Sequence, residues 1–213
     1  LQADGFGAVS LAALGQATWL AMSADDSLSS RLEAAETAYR SGQHRVAFDL
    51  YSDLGSQGHV ESQLMAAWMT LNGLGVTRDT EAAMHWFEKA AALGSAQGSF
   101  HLARYLTSLG RHQEARRYYA TAAHAEHLPS IFWMGHSAAR GKGTQVDQAE
   151  AYKYLTRAAK RGHVYAIREL GVLDMSGGRG VMARPLGVVE FIAAGVAAFV
   201  LAIVNKESDL LRA

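Results

Sequence analysis

The sequence predicts an all-α chain: a right-handed α-solenoid of about five helix hairpins, closed by a long apolar C-terminal helix. Three observations point there. The stretch GLGVTRDTEAAMHWFEKAAALGSAQG, from Gly73 to Gly98, returns 68 residues later as GKGTQVDQAEAYKYLTRAAKRGHVYA, from Gly141 to Ala166. The identities in register include Gly73/Gly141, Gly75/Gly143, Asp79/Asp147, Ala83/Ala151 and Gly94/Gly162, and self-similarity at a fixed period is the mark of a repeat architecture. Second, small residues recur in two interleaved series. One runs Ala35, Ala67, Ala103, Gly135, Gly171, and the other Ala47, Ala83, Ala115, Ala151, Gly187. Two series sharing one period mean two helices per unit, with the small residue where backbones approach closely. Third, the 2 prolines and regular glycine punctuation suit helices joined by short turns.

Along the chain, residues 1–30 form a first segment. Gly5 to Ala24 carries no charge and ends before Asp25-Asp26, which reads as a signal-like remnant or as a capping helix for the first hairpin. The repeat solenoid occupies residues 31–184. Its first and third units use the short turns RSGQHR and SLGRHQ, whereas the second and fourth use NGLGVTRD and RGKGTQVD. That difference accounts for alternating spacings of 32 and 36. In the long-turn units, Asp79 and Asp147 offer carboxylates to free helix N–H groups as N-caps. Ala83, Trp86/Phe87 and Ala90/Ala91 then give an apolar stripe at three- and four-residue spacing. Gly94 and Gly162 stop these helices, accepting the left-handed conformation past the last turn.

Residues 185–213 form the last segment. Pro185 sits at an allowed first-turn position, and no glycine stops the helix where Gly94 and Gly162 stopped theirs; Phe199 stands there instead. Leu186 to Val204 has one charge, Glu190. At 19 residues the run reaches the length of a membrane span, although its charge-free part, 14 residues from Phe191, suits a buried helix. The sequence therefore leaves open a membrane anchor and a helix docked on protein.

The Gly-x-Gly-Val turn (Gly73, Gly75, Val76) with Asp79, Ala83, Trp86, Ala90, Ala91 and Gly94 resembles the Sel-1-like repeat family, a branch of the tetratricopeptide-like helical repeats. Gly141, Gly143, Asp147, Ala151, Tyr154, Ala158, Ala159 and Gly162 repeat it, and the third unit departs by lacking the glycine turn. The resemblance covers roughly residues 31 to 199. It implies an α-solenoid that holds other proteins together, usually without catalysis, in a bacterial style of scaffold or adaptor.

Other function classes find little support. Lys plus Arg equals Asp plus Glu, 20 each, so no net field attracts nucleic acid. The absence of Cys removes thiolate metal sites and cysteine nucleophiles. The glycine turns lack the strand and the Lys-Ser/Thr of a P-loop. His59, His127 and His163 share one repeat position, and His44 matches His112, so duplication explains them without a metal. No catalytic constellation is present, and no cofactor is expected. A partner surface is expected on the first helices, which in solenoids often line the concave side. Aligning them puts Met65, His101, Trp133 and Glu169 in one column, and Trp68, Arg104, His136 and Val172 in another. Ala66, Leu102, Met134 and Leu170 fall between these columns as buried positions. The partner-binding set is thus Met65, Trp68, His101, Arg104, Trp133 and His136; the alternative is that Trp68 and Trp133 simply pack between hairpins. The expected function is a non-catalytic scaffold that binds a protein or peptide partner, associated with a membrane through Leu186 to Val204. Alternatives are a soluble solenoid whose last helix docks on a partner or second copy, and a hydrolase or metal-dependent enzyme.

Overall fold

The computed structural model describes residues 27–176 and 184–204. The signal-like stretch Gly5–Ala24 lies outside the described residues. Among those described, every regular element is a helix. The chain divides into two compact units, residues 1–83 and 84–213, with the boundary inside one helix.

The first unit holds α1 (residues 27–40), α2 (His44–Ser56), α3 (Val60–Asn72) and the start of α4 (Thr80–Ala92). Its core is built from small and medium side chains: Ala35, Ala47, Ala66, Ala67, Leu54 and Met69 are fully buried. The long turn after α3 is held by Asp79, whose N–H donates to the Thr70 carbonyl at 3.1 Å and whose Oδ1 accepts the Ala82 N–H at 3.0 Å. Gly75 is required there twice over. Its φ is +72°, and a Cβ on it would stand 2.3 Å from the His44 carbonyl carbon and oxygen.

The second unit carries α5 (Ala96–Ser108), α6 (His112–His124), α7 (Leu128–Arg140), α8 (Gln148–Lys160), α9 (Val164–Met175) and α10 (Arg184–Val204). Each of these helices packs on the next, so consecutive hairpins stack as a solenoid. The long turn of the first unit is reproduced here. The Asp147 N–H donates to the Ala138 carbonyl at 3.0 Å, Asp147 Oδ1 accepts the Glu150 N–H at 2.9 Å, and Gly143 rests on the His112 carbonyl as Gly75 rests on His44.

The small-residue series mark the close contacts. Ala103 and Ala151 have no exposed surface. A Cβ on Gly135 would meet the Leu155 side chain at 2.7 Å, and one on Gly171 would meet the Gly187 carbonyl oxygen at 2.7 Å. Around these seams Ile131 and Leu155 are fully buried. Burial of such side chains stabilises by about 1.5–3 kcal/mol each. Arg116 of α6 ties three helices together: it donates to Ser137 Oγ of α7 at 2.8 Å and to both carboxylate oxygens of Glu150 of α8 at 2.6 Å.

α10 buries Gly187 and Ala194 and leaves Val188, Ile192, Val196 and Val200 exposed, four residues apart on one stripe. The expected span over Leu186–Val204 includes side chains outside the described set, at 186, 190, 199 and 201–204. Among the described residues, no helix is long and apolar enough to cross a membrane.

Candidate functional site

Of the six residues singled out by alignment, Trp68 and Arg104 are exposed and Met65, His101, Trp133 and His136 are half-buried, and each unit places its own. In the first unit, Met65 is half-buried on α3 and Trp68, one turn on, is 40% exposed. Tyr39 of α1 meets the Trp68 ring edge-on, with centroids 6.0 Å apart. Ala66, between the two, is buried, as are Leu102, Met134 and Leu170 at the matching positions.

In the second unit, α5 presents His101 and Arg104. His101 stacks on Phe87 of α4, centroids 4.3 Å apart and planes 18° from parallel. Burial lowers its pKa to about 4, helped by the charge of Arg104 and by His127, so the ring is neutral near pH 7. Arg104 is exposed; its guanidinium lies 5.8 Å from the Phe100 ring centroid. No carboxylate pairs with it among the described residues.

α7 contributes Trp133 and His136, both half-buried. Trp133 lies flat on Tyr119 of α6, centroids 5.6 Å apart and planes 6° from parallel, and takes His136 edge-on at 5.1 Å. Trp133 therefore packs between hairpins, with its indole nitrogen buried. His136 Nδ1 stands 3.6 Å from Glu169 Oε1 of α9, an ion-pair distance rather than a hydrogen bond. Arg140 completes the group, donating to the two Glu169 oxygens at 3.0 and 3.2 Å. Burial would raise the Glu169 pKa, but His136 and Arg140 outweigh it and hold the carboxyl below the usual glutamate range. Beneath Trp133 and His136 lies a cavity of about 10 Å³, too small for a cofactor, which needs roughly 300 Å³ or more.

The alignment missed Arg140 and Tyr119. Arg140 was within reach of it, being four residues after His136 and so on the same helical face. Tyr119 carried no signal, because its contact with Trp133 joins two hairpins.

The hairpin-exit histidines have a structural task. His59, Ser95, His127 and His163 are the N-caps of α3, α5, α7 and α9. His59 Nδ1 accepts the Ser62 N–H at 3.2 Å, Ser95 Oγ accepts the Gly98 N–H at 3.1 Å, and His163 Nδ1 accepts the Ala166 N–H at 3.3 Å. His127 Nδ1 meets Ser130 Oγ at 2.9 Å. Among the described residues, no three His, Asp or Glu side chains gather where they could hold a metal ion.

Comparison with known proteins agrees with this repeat plan. The family model described as Sel1 repeat matches residues 60–95, 100–127 and 129–163. The chain carries Sel1 repeats. These Sel1 repeats bring together the long turn, the cap and the small-residue seam described above, and such repeats generally mediate protein–protein interactions. A solved Sel1 repeat protein from Oxalobacter formigenes is similar, with a TM-score of 0.65 and 25% identity over 76% of this chain and 68% of that one. The protective antigen c5321 of uropathogenic Escherichia coli, described as displaying an SLR fold, has a TM-score of 0.67 at 21% identity. That match covers 83% of this chain and 43% of the antigen, and it shows the fold alone. A curated relative from Rhizobium leguminosarum bv. viciae, described as an exopolysaccharide production negative regulator, is 26% identical over 63% of this chain. The chain spans only 26% and 57% of the lengths of the curated relatives it matches.

Proposed function

We propose that this Sel1-repeat chain is a non-catalytic scaffold that binds a protein or peptide partner through side chains that the first helices of each unit present. The observation that carries the reading is the chemistry of those side chains. Trp68 and Arg104, at equivalent positions of α3 and α5, are exposed, and Arg104 has no carboxylate partner among the described residues. Aromatic and arginine side chains dominate the energetics of protein interfaces. The proposed contact set is Met65, Trp68, His101, Arg104, Trp133 and His136, with Glu169 and Arg140 fixing the last histidine. Affinity capture with the full chain, wild type against Trp68→Ala plus Arg104→Ala, tests the reading. We expect the folded double variant to lose its specific partners; retention of the same partners would reject the reading.

A second reading concerns α10. Its stripe of Val188, Ile192, Val196 and Val200 supports a role in tethering, and the apolar run Leu186–Val204 directs that reading to a membrane. Fractionation of the chain with and without residues 186–213 should move it from the membrane pellet to the supernatant. An intact chain that stays monodisperse without detergent would reject the tether.

A further inference from the structure

One face of α1 is open where the same face of α3, α5, α7 and α9 is covered. Ser30 and Ala34 are exposed. The residues in register with Ser30 are Ser62, Gly98, Ser130 and Ala166, and all four are buried. Those in register with Ala34 are Ala66, Leu102, Met134 and Leu170, and they are buried too. With Glu33, Thr37 and Val46, the two open positions line a groove of about 490 Å³ along α1 and α2. Val46 is 48% exposed there.

In residues 84–213 the cover is the preceding second helix, and its contacts fall in these same columns. Phe87 of α4 stacks on His101, and Tyr119 of α6 on Trp133, both at the position of Glu33. A Cβ on Gly98, at the position of Ser30, would meet Ala90 and Ala91 of α4 at 3.0 and 2.9 Å. Arg116 of α6 reaches Ser137 and Glu150, at the positions of Thr37 and Val46. A repeat contacts only its neighbours, so what α1 lacks is a preceding second helix.

The register names the occupant. The small residue of a second helix stands 20 residues before that of the next first helix in Ala47/Ala67, Ala83/Ala103, Ala115/Gly135 and Ala151/Gly171. At 20 residues before Ala35 stands Gly15. Four residues further, in the column of the buried Tyr51, Phe87, Tyr119 and Leu155, stands Trp19. α2, α4, α6 and α8 are each 13 residues long and begin three before the small residue. The same frame selects residues 12–24, where the uncharged stretch ends. Asp26 departs from the column of Gly58, Gly94 and Gly162, but Glu126 takes that place with a φ of 59°. We infer that residues 12–24 of this chain dock in the groove as the second helix of a preceding hairpin, with Trp19 on Glu33 and Gln16 beside Thr37 and Val46. Burial of the Trp19 ring drives the contact.

NMR on the isotope-labelled full chain tests this. Trp19 ring protons should show NOEs to the Glu33 and Ala34 side chains. Trp19→Asp should speed amide exchange over residues 30–38 by about tenfold or more, and Trp19→Phe should stay within about threefold of wild type, with α7 and α8 unchanged in both. Absence of those NOEs, or equal exchange in wild type and Trp19→Asp, would overturn the inference. So would α1 protection that rises with protein concentration, which would give the groove to a second copy. A native protein whose mature chain starts beyond residue 24 would overturn it as well. The scaffold reading is tested separately, at Trp68 and Arg104.

Discussion

His163 accepts the Ala166 N–H on Nδ1, so the neutral ring carries its proton on Nε2, an atom buried without a partner, and the ring stacks on Phe132 at 4.5 Å. Burial lowers its pKa to about 4, as it does for His101, while burial and the charge of Arg161 lower that of His127. The linkage sign follows. In the unfolded chain the His163 and His101 rings take up protons near pH 6.5, whereas in the folded chain these two resist until about pH 4. Their contribution is complete above pH 6.5 and is lost as pH falls toward 4, by up to ~1.4 kcal/mol per pH unit for each buried ring. Urea denaturation between pH 7.5 and 4.5 should show this slope, reduced in His163→Ser, which keeps a cap acceptor without a titrating ring. A flat profile would contradict it. The Asp79 and Asp147 caps were legible in the sequence because a carboxylate before an apolar stripe is an ordinary cap. The histidine caps were not, since histidine is not a preferred cap and its recurrence read only as duplication.

The long turn shows why its glycine spacing recurs. Gly143 has a φ of +74°, and a Cβ on it would press on the His112 carbonyl, whereas Gly162, with a φ of +84°, has nothing within 4 Å. Gly162→Ala should therefore cost only the left-handed penalty, about 1 kcal/mol. Gly143→Ala adds a backbone clash and should cost about 2–4 kcal/mol, a difference that chemical denaturation can resolve. Equal losses would mean that the turn does not brace the preceding hairpin. The alignment found the turn but not its support, because Gly75 and His44 are 31 residues apart and only the stacked hairpins bring them together. The same limit hid the Tyr119–Trp133 stack and the Arg140–Glu169 pair, which join neighbouring repeats. The buried small-residue series needed no such geometry, as period alone marked Ala103, Gly135 and Gly171 as close-packed.

For the whole molecule, the proposed function gives recognition to side chains on the first helices of each unit, with the second helices serving as their frame. Arg116, bound to Ser137 and Glu150, and Leu155, fully buried, belong to that frame. Outer residues such as Arg104 and Trp68 are left available to a partner. The exposed α10 stripe is a separate surface, tested on its own terms. The most direct measurement is amide hydrogen exchange of the full chain with and without a captured partner. Protection gained along α3, α5 and α7, with α6 and α8 unchanged, is the result the account predicts. Protection centred on α6 and α8, with the first helices unaltered, would contradict it.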